Sequence, residues 1–461
     1  MTVKNWLRVS EINGSRCFDR LHPIVLPMKK SFYKKAGYLS GFLLISVLAL
    51  NVHAQDSSSS TSANTGSGAS SNSSSNSNSS SNTSSTSSTT NNTIPIDQGK
   101  FVQPRFKLSA TLTEGYDDNT LTTKTNRNES AFTDLQANAF ADLGNSRTLF
   151  TVGLTAGVNM YYNRPGDKYD KLASLNLNFA EKVNEKFTLT VSSYFTYQVE
   201  PDFTLQVEQN RVNGQYLYTS DSLSGAYEWT RKFQTVTSYS FTGIFYQDST
   251  EKITNDYYSH TFGNDFRFQL LPTTTLVASY RLALTNYLYE TGRNTVTNSL
   301  FAGFDHSFSP KFTVSLRAGG QMQTQQDASG SEASPYGEAT LTYLYQRSSN
   351  VQAFLHYGFE YSNLSFGQTD KALRTGITFN HSFTPKLSAN FGIYYEHDDF
   401  SSVPGSAASS EDTVSVNTGL HYAVTPKFTL LLSYTYTSLL SDQPGLEYDR
   451  NVVSFGGTYT F

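Results

Sequence analysis

Residues 306–322 read HSFSPKFTVSLRAGGQM, and this stretch decides the fold class. After the Pro310-Lys311 pair, apolar residues at Phe312, Val314 and Leu316 alternate with polar ones. A period of two is the pattern of a β-strand, because successive side chains of a strand point to opposite faces of the sheet. Pro suits the preceding turn, since its φ is fixed and it has no N–H for a strand ladder to lose. The stretch therefore predicts a strand end, a tight turn and a new strand.

The same unit recurs along the chain. HSFTPKL at 381–387 and HYAVTPKF at 421–428 repeat the histidine, the proline turn and the following strand. Looser tight turns are predicted near Gly144-Asn145, Asn184-Glu185, Arg231-Lys232, Pro272-Thr273 and Ser348-Ser349. Nine longer polar segments lie between the turns, centred near Arg127, Pro165, Glu208, Thr250, Gly292, Ser329, Gln368, Gly405 and Gln443.

Eight short turns alternating with nine long loops predict eighteen strands. Sixteen is the alternative count, because the pattern is weakest in the strands expected at Arg105–Tyr116 and Leu217–Trp229. Either number is even, so both ends of the barrel are expected on the short-turn side, which is periplasmic in bacterial outer-membrane barrels.

The two faces of the predicted strands differ in charge. One face is apolar throughout, as at Phe150, Val152 and Leu154 or at Leu276, Ala278 and Tyr280. The other face has Ser, Thr, Asn, Gln and Gly, and it has nearly all the charges within the strands, at Asp142, Glu228, Asp265, Arg267, Arg281, Asp305, Arg317, Glu338, Glu360, Arg374 and Glu396. Because Lys or Arg facing lipid costs about 2–4 kcal/mol near the bilayer midplane, the apolar face is expected to meet lipid and the charged face a lumen. Tyrosines at the strand ends, such as Tyr161-Tyr162 and Tyr257-Tyr258, predict an aromatic girdle.

Composition supports a membrane barrel over the other fold classes. The 461 residues include 34 Lys plus Arg and 38 Asp plus Glu, only 16% charged residues, against about 25% in soluble domains. Aromatics reach 14% while the mean hydropathy is −0.41. This combination of few charges, many aromatic residues and a low mean hydropathy excludes helical membrane bundles, collagen, coiled coils and nucleic-acid binders. A soluble β-sandwich, the competing interpretation, would have many Lys and Glu on its outer face. We therefore predict an all-β, transmembrane, antiparallel up-and-down β-barrel.

The N-terminal part of the chain reads as an export region. Residues 1–27 differ from the rest and precede Met28, which is the expected true start. Residues 28–54 have the basic, apolar and small-residue regions of a signal peptide, with an uncleaved anchor as the alternative. Residues 55–100 are rich in Ser, Asn and Thr and predict a disordered linker, either an inert spacer or a tether, before a barrel at 101–461. The only cysteine is Cys17, so the exported chain would have no thiol chemistry.

Eight charged residues of the polar face are the candidate pore lining: Arg267, Arg281, Arg317, Arg374, Asp265, Asp305, Glu338 and Glu360. Opposing charges around a pore would focus a field and bias the passage of ions or sugars. The alternative interpretation is that these charges pair with one another and only fill the lumen.

Sequence motifs for catalysis and metal binding are missing or weak. No HExxH, Walker, GxSxG or GxGxxG motif occurs, no catalytic set is suggested, and no cofactor or catalytic residue is expected. His306, His381 and His421 sit before turns, where a polar turn position is simpler than a metal site. Asp117, Asp118 and Asn119 allow either a Ca²⁺ ligand set or an Asx-type turn.

The last strand ends with Val453, Phe455, Gly457, Tyr459 and Phe461. This alternation resembles the C-terminal signal by which outer-membrane barrels are recognised for assembly, with Tyr459 and Phe461 as its aromatic end. LTEGYDDN at 112–119 and the repeated His-x-Phe-Ser/Thr-Pro-Lys turns resemble the beta-barrel porin type 2 family over residues 105–461. That resemblance implies a link to exopolysaccharide secretion and a role in moving polymer or solute. It assigns no functional residues, and the Ser-rich linker departs from its compact pattern.

We accordingly expect an outer-membrane channel, without enzymatic activity, for small solutes or for exopolysaccharide secretion. A non-conducting structural or adhesive barrel is the alternative. The expected partners are outer-membrane lipid and lipopolysaccharide, the barrel-assembly machinery and polysaccharide-export proteins, with the linker in the periplasm and no nucleic acid bound.

Overall fold

The computed structural model describes residues 105–145, 147–199, 215–247, 255–326, 330–360, 370–400, 409–443 and 445–461. The expected upstream segment 1–27, the signal peptide 28–54 and the linker 55–100 lie outside the described residues. Among the described residues, no helix is long and apolar enough to cross a bilayer.

Eighteen strands form one antiparallel sheet that closes on itself. Each strand pairs with its sequence neighbours, and β1 pairs with β18, from Ser109 opposite Thr460 to Asp117 opposite Val452. This is the predicted up-and-down barrel, and the alternative of sixteen strands is wrong. A short 3-10 helix lies at Thr291–Arg293. The strands are β1 Arg105–Asp117, β2 Ser130–Asp142, β3 Thr148–Tyr161, β4 Tyr169–Lys182, β5 Phe187–Gln198, β6 Tyr216–Glu228, β7 Phe233–Tyr246, β8 Tyr257–Leu271, β9 Thr274–Tyr287, β10 Thr295–Ser309, β11 Phe312–Gln325, β12 Ser331–Gln346, β13 Ser349–Glu360, β14 Asp370–Ser382, β15 Leu387–Phe400, β16 Ser409–Thr425, β17 Phe428–Ser441 and β18 Tyr448–Thr460.

The repeated proline turns are held by the hydroxyl residue before the proline. The Oγ1 of Thr384 accepts hydrogen bonds from the backbone N–H of Lys386 at 3.2 Å and of Leu387 at 3.0 Å. The Oγ1 of Thr425 accepts the corresponding pair from Lys427 at 3.3 Å and Phe428 at 3.0 Å. These side-chain acceptors satisfy the backbone N–H groups of the two residues after the proline and close the turn. The Ser/Thr-Pro-Lys repeat is therefore a turn device that is used at three of the eight short connections.

Strand pairing places the apolar stripes on the outside of the barrel. In β3, Leu154 is half exposed, while Gly153 and Thr155 face the inside in register with Phe140 and Asn138 of β2. Side chains on the outer face have no protein layer beyond them, so their exposed apolar area matches a lipid-facing band. The lipid and lumen faces predicted from the alternation are both present.

Two parts of the sequence-based picture need correction. In the Tyr161-Tyr162 and Tyr257-Tyr258 pairs, only Tyr162 and Tyr258 face outward, because adjacent residues of a strand point to opposite sides. Tyr161 and Tyr257 are buried on the inner side, so they do not belong to an outer aromatic girdle. In addition, Asp221 in the middle of β6 is in register with Phe241 on the outward face, an in-strand charge that the alternation analysis missed.

Candidate functional site

The eight candidate residues all lie on the inward face of neighbouring strands, from β8 to β14. Their common orientation follows from the register, in which Asp265 opposes Ser279, Arg317 opposes Glu338 and Glu360 opposes Asp370. They form an arc of charge over seven of the eighteen strands, and we call this set, with the neighbouring acids described below, the charged arc.

The first group of the charged arc joins β8 and β9. The Nη2 atom of Arg281 lies 2.6 Å from the Oδ1 atom of Asp265, and Arg267 lies 3.6 Å from the same carboxylate. The hydroxyl of Ser279 donates to Asp265 at 2.8 Å. Gly263 makes room for this pair, because a Cβ atom there would lie 2.8 Å from the Cδ atom of Arg281. Arg267 and Asp265 are each only 3% exposed, so this group belongs to the packed wall.

The second group joins β10 and β11. The Nη2 atom of Arg317 donates to Asp305 at 2.6 Å, and Ser315 donates to the same carboxylate oxygen at 2.6 Å. The Nη1 atom of Arg317 also donates to the backbone carbonyls of Phe304 and Leu316, each at 2.9 Å. The guanidinium is thereby fixed against the wall by both charge and backbone contacts.

A stacked pair of aromatic rings, Phe301 and Tyr336, lies between these two groups and the third. The ring of Phe301 stacks on Tyr336 with centroids 4.5 Å apart, and the guanidinium of Arg281 lies 5.5 Å from the Phe301 ring. The hydroxyl of Tyr336 donates to Glu338 at 2.7 Å. A carboxylate is thus held on the inner wall by a phenol, although Arg317 is opposite it in the register.

The third group is centred on Arg374 of β14. Its Nε atom lies 2.6 Å from Glu396 and its Nη1 atom 3.3 Å from Glu360. The Nδ1 atom of His356 lies 3.2 Å from Glu360. One arginine therefore bridges two carboxylates on the strands that flank its own, β13 and β15.

Two further acids extend the charged arc to β16. Asp398 and Glu411 face inward in register with each other, and the hydroxyl of Ser441 donates to Glu411 at 2.6 Å. Neither was among the candidates, although each has the same parity as inward residues of its strand, which is a signal present in the sequence. With Glu396, Asp398 and Glu411 included, the charged arc has seven acids and four arginines.

The wall across the barrel is aromatic. Tyr216, Tyr218, Ile244, Tyr246, Tyr257 and Tyr287 form one buried inward cluster on β6 to β9, which we call the tyrosine wall. Its centre on β7 is nine strands from β16, half-way around a ring of eighteen. Sequence reasoning missed this cluster: it assigned Tyr257 to the outer girdle and gave the other members no role.

The Asp117-Asp118-Asn119 motif closes the barrel. Arg450 of β18 binds the fully buried Asp117 with both Nε and Nη2, the latter at 2.5 Å. Asp118 accepts two hydrogen bonds from Asn451, each at 2.7 Å. The Oδ1 atom of Asp117 also accepts the backbone N–H of Asn119 at 2.9 Å, which is the geometry of an Asx turn. The motif forms a turn and not a Ca²⁺ site, because the carboxylates of Asp117 and Asp118 bind Arg450 and Asn451 across the β1–β18 seam.

The three turn histidines lie on three different strands, β10, β14 and β16. His306 lies 2.8 Å from the Oγ1 atom of Thr274, and His381 lies 2.8 Å from the hydroxyl of Tyr345. His421 is on β16 and faces inward. Within the described part of the chain, no group of three or more His, Cys, Asp or Glu side chains is arranged to hold a metal ion.

The proposed assembly signal lies at the outer rim. Tyr459 and Phe461 both point outward, 43% and 66% exposed, with ring centroids 5.2 Å apart. The backbone N–H of Phe461 donates to the carbonyl of Leu108 at 2.9 Å, so the last residue is paired with β1.

Solved barrels have a similar topology at low sequence identity. OpdK of Pseudomonas aeruginosa, in a structure with vanillate, is 10% identical, with a TM-score of 0.44 over 78% of this chain and 100% of that chain. OccAB4 of Acinetobacter baumannii is 11% identical, with a TM-score of 0.41 over 80% and 100%. Pseudomonas aeruginosa OccK2 (OpdF) in complex with glucuronate is 12% identical, with a TM-score of 0.43 over 79% and 98%.

No curated protein matches the chain in sequence. A family model described as "Putative beta-barrel porin 2" matches residues 368–461, which include β14 to β18 and two of the three proline-turn repeats. The match is shorter than the resemblance over 105–461, and it leaves out the Tyr-Asp-Asp-Asn motif of β1. The resemblance inferred from the turn motifs is thus confirmed for the C-terminal part of the chain, which is similar to this porin family.

Proposed function

We propose that the protein is a passive outer-membrane channel for small polar solutes, and not an enzyme. The observation that carries the proposal is the closed porin-like barrel with an apolar exterior and an inner face of hydroxyl, amide and charged side chains. A barrel of eighteen strands is wide enough for an aqueous path unless it is filled.

The charged arc gives this channel its selectivity. Its close pairs, Asp265 with Arg281 and Asp305 with Arg317, cancel much of the field near β8 to β11. The remaining acids gather near β13 to β16, where Arg374 bridges Glu360 and Glu396. Seven acids against four arginines leave a net negative wall, which favours cations and neutral polar solutes over anions. The close ion pairs are also what the alternative predicts, in which the charges pair with one another and only fill the lumen. The acids in excess of the arginines are not explained by pairing, and they support a role in selectivity.

The test is single-channel recording of the refolded protein in a planar bilayer with a KCl gradient. Steady openings with a reversal potential of cation-selective sign are expected. A barrel that is shown to be folded by its heat-dependent gel mobility but is electrically silent would support the structural or adhesive alternative.

The same recording separates small solutes from a secreted polysaccharide. Non-electrolyte polymers of increasing size are added, and the largest one that still lowers the conductance reports the width of the passage. A cut-off at the size of small oligosaccharides supports our proposal. If polymers as wide as a glycan chain also lower the conductance, the passage is wide enough for exopolysaccharide, which is the role implied by the family resemblance.

A further inference from the structure

The lipid-facing surface is not apolar all the way around. On β5 to β8, the outward polar residues include Ser193, Thr219, Asp221, Tyr239, His260 and Asn264. We call this set the outer polar patch. It is at the middle of the strands, since Asp221 is the sixth of 13 residues in β6 and Asn264 the eighth of 15 in β8.

Hydrogen bonds organise the outer polar patch. Asp221 accepts from the hydroxyls of Ser193 and of Thr219, the latter at 2.9 Å. On the neighbouring strands, the hydroxyl of Tyr239 lies 2.8 Å from the Nδ1 atom of His260. The Oδ1 atom of Asn264 is buried and has no hydrogen-bond partner among the described residues. These are not scattered surface residues but two bonded groups, with an amide beside them whose oxygen is not satisfied.

The opposite wall shows what a lipid-facing centre looks like elsewhere in this barrel. At the middle of β15, β16 and β17 the outward residues are Ile393, Val416 and Leu432. A carboxylate, an imidazole and an amide facing hydrocarbon are costly, because lipid tails offer no hydrogen bonds. Polar side chains at such a depth are therefore expected to be covered by another protein surface.

We propose that the outer polar patch is the contact surface for a second copy of this chain within the membrane. The patch has both an acceptor, the Asp221 carboxylate, and donors, the side chains of His260 and Asn264, so it is complementary to itself in hydrogen bonding. A two-fold contact brings each patch against its own copy and needs this kind of self-complementarity. Exposed apolar side chains at Leu223 and Phe262 lie within the patch and supply the packing around its polar groups.

Cysteine cross-linking of the purified full-length protein in phosphatidylcholine vesicles tests the contact. In a Cys17→Ser background, Leu223→Cys places a thiol inside the patch, while Leu432→Cys places one on the opposite wall at similar exposure, 36% against 44%. Oxidation should convert the Leu223→Cys protein to a disulfide-linked dimer at least tenfold faster than the Leu432→Cys protein. Only this chain is present, so any dimer is a homodimer.

A second variant ties the dimer to the polar groups. Asp221→Leu with His260→Leu, added to Leu223→Cys, should fold, because it replaces lipid-facing polar groups by apolar ones, and it should lose the rapid cross-link. Light scattering in mild detergent should show twice the protomer mass for the parent and the protomer mass for this variant. Equal cross-linking rates at positions 223 and 432, or a folded Leu223→Cys protein that stays uncross-linked and monomeric, would overturn the proposal.

Discussion

Replacing Arg281 and Arg317 together by alanine should make the channel more selective for cations. Both guanidinium groups contact a carboxylate on the inner wall, at 2.6 Å in each case. Their loss leaves Asp265 and Asp305 without their closest positive partners, and the charged arc then has two arginines for seven acids. The field along the passage becomes more negative, so the local cation concentration rises.

The size of this effect follows from Coulomb's law. At about 8 Å from a passing ion in a water-like medium, one charge contributes about 0.5 kcal/mol without screening. Salt near 0.15 M, with a Debye length of about 8 Å, lowers this to about 0.2 kcal/mol, while near 0.01 M about 0.4 kcal/mol remains. For two charges, cations should be enriched about twofold at 0.15 M and about fourfold at 0.01 M, and anions depleted by the same factors. The cation-to-anion permeability ratio should therefore rise about fourfold at 0.15 M and about fifteenfold at 0.01 M. It should not change measurably at 1 M.

Reversal potentials in KCl gradients at these three salt levels measure the ratio. Lys124→Ala with Arg127→Ala is the matched control, because it removes two positive charges from the exposed β1–β2 loop, where they pair with Glu447 and Asp449. The control should shift selectivity much less than the pore variant. An unchanged permeability ratio at 0.01 M, in a barrel that still conducts, would refute the reasoning and show that the arginines serve only to fill the wall.

Three further changes test the wall, the seam and assembly. Asp117→Ala should destabilise the barrel by about 3 kcal/mol in urea unfolding, because it removes the fully buried carboxylate that pairs with Arg450 across the seam, whereas Lys124→Ala in an exposed pair should cost at most about 1 kcal/mol; equal losses would contradict a special role for the seam. Gly263→Val should destabilise by about 1–3 kcal/mol, since its Cβ meets atoms at 2.6 Å, while Gly337→Val meets nothing within 4 Å and should be tolerated; similar unfolding midpoints would count against the close contact. Phe461→Ala should slow assembly into the outer membrane in cells but leave refolding into detergent unchanged, and equal assembly rates in a pulse-labelling experiment would remove the signal role.

The fold could be predicted from the sequence because, in a barrel of hairpins, strands that are consecutive in the chain pair with each other. Each short turn in the sequence, such as Pro310-Lys311, joins two strands that pair with each other, so counting turns and loops counts strands. The alternation then fixes which face meets lipid. Even the ambiguous first strand follows this rule, since Arg105 to Asp117 pairs along its length with β2.

The contacts within the site could not be predicted in the same way. Arg317 binds Asp305 diagonally, although its direct cross-strand neighbours are Gly303 and Glu338. Long side chains reach positions two residues along, so parity gives the face but not the partner. The seam is harder still, because Asp117 and Arg450 are 333 residues apart and no local pattern links them.

The inner wall combines tyrosines on β6 to β9 with charged residues on β8 to β16, and the two sets overlap on β8 and β9. The tyrosine wall is centred on β7 and the acids of the charged arc reach β16, so a solute in the proposed channel would pass between a wall of buried rings and a wall of carboxylates. Aromatic faces pack on the apolar faces of sugars and attract cations, while carboxylates accept hydrogen bonds from hydroxyl and ammonium groups. A solute with one flat apolar face and one hydroxylated or cationic edge satisfies both walls at once. A uniformly anionic polymer satisfies neither, which is the physical reason that we place small neutral or cationic solutes ahead of it.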